Sequence, residues 1–275
     1  MRIKNGKIEV LTKPRIVYCP LHESLYGTRE INEEAVKRSV QMKIRNFGFC
    51  CENRIFDDSM VVPYGSSEII RVCMEKKLLD CAVTVCEGAG TVITANPSLV
   101  QAIGARLTGI IKTSPIKGII EHIKKEKGII LNEASAKIDQ AEGVLKAANL
   151  GYKRVAVTVA SFLSESMEKI RRIEEEKGIK VAIFSVCNTC ASSKDAERIL
   201  SYADIVCASA SRLIRKRVAP KALMQLGVTI PVFALTEFGK KLILAYLEKF
   251  KDKLVIFRTS KLPYQVEGKG PKIEG

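Results

Sequence analysis

The sequence lacks long apolar segments. A membrane-spanning helix needs roughly 18 or more consecutive apolar residues, and no window of the 275 residues reaches that length. The first ten residues, MRIKNGKIEV, also lack the apolar core that signal peptides carry. These absences predict a cytoplasmic protein with no membrane partner.

Signatures of nucleic-acid-binding modules are absent as well, although the formal net charge is +15. A charge of this sign is compatible with nucleic acid, a membrane surface or an acidic protein as partner. The Lys and Arg residues are spread along the chain in segments such as KKEK and RRIEEEK, as on solvated helix faces, and form no dense stripe. We therefore do not expect nucleic acid as a partner.

The chain does contain nine cysteines. A reducing cytoplasm disfavours structural disulfides, and an odd number of thiols cannot all pair. The thiols are therefore expected to be buried apolar residues, reactive groups or metal ligands. Cys73, Cys81 and Cys207 lie within apolar runs and are predicted to belong to the core.

Apolar, β-rich runs alternate with segments of helical periodicity, such as the predicted helix at 31–45. The runs that indicate strands lie at 81–85, 154–159, 180–186, 204–208, 231–235 and 253–257. This alternation predicts an α/β protein with a Rossmann-like, mostly parallel sheet flanked by helices.

The same alternation suggests a division of the chain into four parts. An N-terminal segment with cysteines, 1–60, is expected to pack on the core, followed by a first α/β lobe at 61–150 and a second at 151–262. Residues 263–275, PYQVEGKGPKIEG, are predicted to form a loose tail.

The carboxyl ends of the predicted strands carry thiols. Cys86 and Cys187 each follow a strand, and Cys190 completes a C-x-x-C pair with Cys187. Ligands of open α/β sheets bind at this edge, and such a pair can hold a metal ion or an iron–sulfur cluster through thiolates. The candidate ligands for an iron–sulfur cluster or zinc are Cys19, His22, Cys50, Cys51, Cys86, Cys187 and Cys190.

Two of these thiols and two charged residues also suit catalysis or ligand binding without a metal. Cys86 and Cys187 are candidate catalytic thiols, and Glu87 beside Cys86 is a candidate acid or base. Arg54, near the Cys50-Cys51 pair in the sequence, is a candidate for lowering a thiol pKa or holding an anionic ligand.

The glycine-containing turn after Cys86 has two interpretations. The backbone N–H groups of Gly88, Gly90 and Thr91 are candidates for binding an anion. The segment is neither GxxxxGK[ST] nor a full GxGxxG, however, and a tight turn accounts for it as well.

Four long segments resemble a known family. They are NFGFCCENRIFDD, VVPYGSSEII, CAVTVCEGAGTVITANPSLVQAIGARLTGIIKTSPI and IPVFALTEFGKK. Through them the chain is similar, from about Cys19 to Leu247, to the family of methanogenesis marker protein 8, an archaeal domain of unknown function. The resemblance implies an association with methane-producing archaea and a protein partner in the methyl-coenzyme M reductase system, and it assigns no reaction.

These observations favour a cysteine-liganded cofactor that serves maturation, activation or redox support of the methanogenic machinery. Two other functions stay open. The segment SVCNTCAS resembles the Cys-Asn-Thr segment of cofactor-independent amino-acid racemases, in which Cys86 and Cys187 would act as acid and base on opposite sides of a substrate. A noncatalytic scaffold that docks its basic surface on an acidic enzyme is the third possibility.

Overall fold

The computed structural model describes residues 1–4, 7–105 and 109–273. Its strands are β1 (Arg2–Lys4), β2 (Lys7–Glu9), β3 (Ile16–Tyr18), β4 (Cys81–Cys86), β5 (Gly90–Thr94), β6 (Ile129–Ile130), β7 (Arg154–Ala160), β8 (Lys180–Val186), β9 (Ile205–Cys207), β10 (Met224–Leu226), β11 (Val232–Ala234) and β12 (Lys272–Ile273). Its α-helices are α1 (Pro20–Tyr26), α2 (Glu33–Phe47), α3 (Ser66–Glu75), α4 (Pro97–Gly104), α5 (Lys117–Lys125), α6 (Gln140–Asn149), α7 (Ser166–Lys177), α8 (Ser193–Tyr202) and α9 (Glu237–Leu247). No helix in these ranges combines the length and the apolar character that crossing a bilayer requires.

The centre of the molecule is an eight-stranded sheet in the order β10-β11-β9-β8-β7-β4-β5-β6. Its middle is parallel, because β4 pairs with β7, β7 with β8, and β8 with β9 in the same direction. These four strands are the predicted apolar runs, and they place their carboxyl ends at one edge.

The α/β class is confirmed, but the prediction of a mostly parallel sheet is wrong, and a specifically Rossmann-like arrangement is not confirmed. In the sheet that the structure describes, the outer junctions β10-β11, β11-β9, β4-β5 and β5-β6 are antiparallel. Only three residues connect β4 to β5, and a connection this short joins antiparallel neighbours.

Helices cover both faces of the sheet and close three apolar clusters, of which the two largest lie on opposite faces. On one face, α6, α7 and α8 contribute residues such as Val144, Met167 and Ile199. On the other, α3 and α9 contribute residues such as Ile69 and Tyr246. Burying one such side chain stabilises a fold by about 1.5–3 kcal/mol, so both faces of the central strands are fixed.

Helix termini agree with capping signals in the sequence. The helix predicted at 31–45 is confirmed as α2, where the Asn32 side chain accepts a hydrogen bond of 2.9 Å from the Ala35 N–H and Gly48 ends the helix. At α8, Ser192 and Asp195 form a reciprocal capping box. Such local signals explain why helix positions were predictable.

The strand predicted at 253–257 is wrong. This segment is irregular and exposed, because no strand of the described residues pairs with it. The nearby edge strand β10 was missed, since its three residues carry too short a pattern to indicate a strand.

The division into an N-terminal segment and two lobes stays a prediction. The boundary proposed at 150/151 falls between α6 and β7, and β4 on one side of it pairs directly with β7 on the other. The segment predicted as a loose tail has contacts with the body: β12 pairs with β3, and the Gln225 side chain makes two hydrogen bonds of 2.8 Å with the backbone of Tyr264.

Candidate functional site: a cysteine-lined edge of the sheet

The carboxyl edge of the parallel strands brings three of the thiol positions to one side of the protein. β4 ends at Cys86, β9 ends at Cys207, and Cys187 directly follows β8. Cys73 and Cys81 are fully buried away from this edge, as predicted for the core, whereas Cys207 is only half-buried. The cysteines at this edge therefore range from fully buried to exposed.

The innermost group is a buried ion pair between Arg54 and Glu87. The Arg54 Nε donates to Glu87 Oε1, and both side chains are almost completely inaccessible. The Arg54 guanidinium also donates to the carbonyl oxygen of Ala102 at 3.2 Å and stacks 4.3 Å over the Phe56 ring. Removing two charges from water is costly, and this pair persists because the chain supplies further partners for the guanidinium.

The thiol of Cys86 lies against the same carboxylate. Its sulfur is 3.7 Å from Glu87 Oε2 and has no exposed surface. Burial, followed by the neighbouring Glu87 charge, raises the pKa of Cys86 well above that of a free thiol. The sulfur is thus a protonated thiol without access for a substrate in this conformation.

Cys50 lies next to this group, on the outer side. Its backbone has a left-handed φ of 59°, which is uncommon for a residue with a side chain. Burial raises the pKa of Cys50 to about 12, and the Glu87 charge adds to the shift. Arg54, predicted to lower a thiol pKa, does oppose this shift, but the burial prevails.

We expect Cys50 to be alkylated by iodoacetamide about 1000-fold more slowly than an ordinary thiol at pH 8, because only the thiolate reacts. The rate should rise about tenfold per pH unit towards the pKa of about 12. Peptide mapping by mass spectrometry after timed alkylation measures this rate. The matched control is the same residue in urea, and equal rates in folded and unfolded protein would contradict the buried, protonated thiol.

Cys187 is an exposed residue of the edge, but burial around its sulfur raises the pKa of the thiol to about 11. It joins β8 to a single 3-10 turn, Asn188–Cys190, through a left-handed backbone with φ 54° and ψ 43°. Its carbonyl oxygen accepts a hydrogen bond of 3.1 Å from Ser161 Oγ, which follows β7. A strained backbone held by its surroundings is frequent at functional sites.

The loop at 109–116 begins beside this thiol. A Cβ atom at Gly109 would lie 3.1 Å from the Cys187 sulfur, which is a tight contact, so the backbone there leaves little room for a side chain. The same loop is fixed to the β4–β5 turn, where the Gly88 N–H donates to Thr113 Oγ1 at 2.8 Å. The thiols after β4 and β8 are thereby linked through one loop.

Asn188 is a residue that orders this edge and that is missing from the candidates predicted from the sequence. Its fully buried side chain donates to the carbonyl oxygens of Cys207 at 2.8 Å and Ser185 at 3.2 Å, and its backbone N–H donates to Ser209 Oγ at 3.1 Å. It therefore fixes the ends of β8 and β9 to each other. The signal was an amide residue two positions after the end of a buried strand, where a satisfied polar side chain orders the edge.

The turn residues proposed for anion binding serve a hairpin instead of an open loop. The N–H of Gly88 is taken by Thr113, and that of Thr91 donates to the Lys137 carbonyl oxygen at 2.9 Å. Gly90 pairs with Cys86 at the start of β5, and the turn is buried. These contacts favour the tight-turn interpretation, since the donors already have partners within the chain.

The remaining candidate ligands are distributed around this edge. Cys190 is exposed at the end of the 3-10 turn, and the Cys51 sulfur donates to the Phe49 carbonyl oxygen at 3.5 Å. His22 packs on the Tyr26 ring at 4.8 Å, and Cys19 precedes α1. Among residues 1–4, 7–105 and 109–273, no three His, Cys, Asp or Glu side chains converge as a metal site.

Comparison with known proteins places this arrangement in a family. Residues 1–248 match the family described as "Uncharacterized protein conserved in archaea" (DUF2099). The chain belongs to this archaeal family. The protein named "Uncharacterized protein MJ0054" from Methanocaldococcus jannaschii is similar to this chain, with 41% identity over 251 residues, 91% of this chain and 86% of the relative.

The family match ends at residue 248 and includes the whole candidate site. The Arg54–Glu87 pair and the thiols of the carboxyl edge all lie within the matched residues 1–248, whereas the segment from 249 onwards lies outside them. The edge thus belongs to the part of the chain that defines the archaeal family.

Proposed function

We propose that the protein binds a thiophilic metal ion or an iron–sulfur cluster through Cys187 and Cys190, and that it supports maturation, activation or redox reactions of the methanogenic machinery in the cytoplasm. The observation that carries this proposal is the exposed C-x-x-C turn at the carboxyl edge of the parallel strands. Both residues are exposed. Burial raises the pKa of the Cys187 thiol to about 11, so a metal ion has to displace a tightly held proton there.

The rigidity of the first thiol supports binding. Ser161 holds the Cys187 carbonyl group, and Asn188 makes four hydrogen bonds with Ser185, Cys207 and Ser209, so the backbone that carries Cys187 is ordered before a ligand arrives. A preformed backbone lowers the entropic cost of binding. Metal binding then has to displace the thiol protons, so affinity should rise with pH.

Two thiolates occupy half of the tetrahedral sphere that zinc and the irons of a cluster prefer. The other positions are available to inorganic sulfide, to water or to ligands from another protein. An open coordination sphere of this kind suits the uptake and delivery of a metal or cluster better than permanent storage. Cys19, His22, Cys50, Cys51 and Cys86 stay candidate ligands, and Cys86 would have to leave the Glu87 carboxylate to take part.

The methanogenic context rests on the segments that resemble methanogenesis marker protein 8, together with membership of a family found in archaea. A protein partner in the methyl-coenzyme M reductase system is part of this proposal. The net charge of +15 would favour an acidic partner.

The first test is metal loading of the protein purified without oxygen. We expect the wild type to take up iron and sulfide, or zinc, in stoichiometric amounts, and expect Cys187→Ala and Cys190→Ala to weaken binding at least about tenfold. Metal quantification and ultraviolet–visible spectra measure this. The matched control is Cys73→Ala, which removes a thiol packed between α3 and α9 and should leave metal content unchanged.

The outcomes separate the possibilities clearly. If the wild-type protein stays free of metal after reconstitution, the proposal is contradicted. Metal that persists in Cys187→Ala but is lost in Cys50→Ala would overturn the assigned site and place it beside the Arg54–Glu87 pair. In a methanogenic archaeon that lacks the protein, slower methane formation should be rescued by the wild type and by Cys73→Ala, but not by Cys187→Ala.

A further inference from the structure

An apolar segment outside the family match projects from the surface. Val255, Ile256 and Phe257 are consecutive and expose 89%, 78% and 55% of their surfaces. Single exposed apolar residues are ordinary, but three in a row at this exposure require an explanation, because water contact with each is unfavourable.

The segment is held away from the body of the protein. A cavity of about 720 Å³ lies between residues 253–262 and the edge strand β10, with Leu247 of α9 also lining it. The segment is tied down beyond this cavity, where Gln225 holds the backbone of Tyr264. The segment therefore forms an arc whose apolar residues line one wall of this cavity and are open to solvent, while Phe257 packs edge-on against the Tyr264 ring at 4.9 Å.

Cations surround the arc. Lys251, Lys253, Arg258 and Lys261 flank the apolar residues, with Asp252 as the acidic residue among them. In the described part of the chain, none of these four cations has a carboxylate within salt-bridge distance. Their charge is thus available to an external anion.

We propose that this arc, residues 251–261, docks the protein on an anionic lipid surface. The cations would contact the head groups, while Val255, Ile256 and Phe257 enter the apolar layer. Such docking differs from spanning a membrane, and it departs from the sequence-based expectation of no membrane partner.

Charge and shape favour lipid over the other occupants. A second copy of the chain would bring the same four cations to the contact, and the like charges would repel. A protein partner would need a pocket that matches Val255, which is almost completely exposed, whereas a lipid layer surrounds any projecting apolar side chain. Charge complementarity with an anionic surface satisfies both parts of the arc.

Vesicle sedimentation tests the proposal with the full-length protein. We expect the wild type to sediment with vesicles of phosphatidylglycerol and phosphatidylcholine, more weakly at high salt, and not with phosphatidylcholine alone. Val255→Ser/Ile256→Ser should lower the partition coefficient at least about tenfold, and Lys253→Gln/Arg258→Gln should lower it by a similar factor. Leu150→Ser, at another exposed apolar position, is the matched control and should bind as the wild type does.

Several results would overturn lipid docking. The wild type could fail to sediment with anionic vesicles, or the double serine variant could sediment as strongly as the wild type. A dimer of the wild type that becomes monomeric in the double serine variant would assign the arc to self-association instead. The variants of the arc should keep the metal content of the wild type whether or not the arc binds lipid. The lipid test is therefore independent of the metal site proposed at Cys187 and Cys190.

Discussion

Replacing Arg54 with methionine is expected to lower the free energy of unfolding by about 3–5 kcal/mol. The substitution keeps an unbranched apolar stem but leaves the fully buried Glu87 carboxylate without its cation. An uncompensated buried charge is costly, and the carbonyl oxygen of Ala102 loses its donor at the same time. Urea denaturation followed by circular dichroism measures the change.

Two controls give this result its meaning. In Arg54→Met/Glu87→Met no charge stays buried, so the double variant should regain most of the lost stability. The same change at the exposed pair of Arg172 and Glu168, Arg172→Met, should cost within about 0.5 kcal/mol. A cost below about 1 kcal/mol for Arg54→Met would mean that the pair is not buried as described.

Substitution of Gly90 by alanine should destabilise the protein by about 2–5 kcal/mol. A Cβ atom there would lie 2.2 Å from the Ala136 carbonyl oxygen, and the backbone has a left-handed φ of 73°. The left-handed conformation of a residue with a side chain costs about 1–2 kcal/mol, and displacing packed backbone costs about 1–3 kcal/mol more.

Gly151 provides the matched comparison. It also has a positive φ, of 95°, but a Cβ atom there would meet nothing within 4 Å. Gly151→Ala should therefore show only the conformational cost, about 1–2 kcal/mol in urea denaturation. Equal losses at both positions would show that the close approach of the β4–β5 turn to Ala136 contributes nothing.

The central parallel strands and their helices could be predicted because the signals are local. The runs at 81–85, 154–159 and 180–186 are short, apolar and β-rich. The capping residues of α2 and α8 lie next to the first turn of each helix in the sequence. The placement of Cys86 and Cys187 at one edge followed from the parallel pairing of those strands.

The outer sheet could not be predicted because pairing direction depends on distant parts of the chain. β5 begins within the segment interpreted either as an anion site or as a tight turn, and β10 and β11 are three residues each. The opposite error occurred at 253–257, where strand-forming residues lie beside no partner. Intrinsic strand preference describes a side chain that fits a pleated surface, and it does not provide that surface.

The sequence indicated which residues belong to the site, but it did not indicate how they are arranged. Sequence reasoning named Arg54, Cys86 and Glu87 separately, but the ion pair joins residues 33 positions apart, which no local pattern reveals. The same limit applies to Cys50, whose burial beside Glu87 produces its raised pKa. Asn188 escaped attention because its role depends on carbonyl groups from two different strands.

The pairing of β3 with β12 has a consequence for synthesis in the cell. Tyr18 is aligned with Lys272, so the partner of β3 leaves the ribosome about 250 residues after β3 itself. The strands of the central sheet, up to β11 at Val232–Ala234, are translated before then. β3 must therefore wait beside a formed sheet until β12 has been translated.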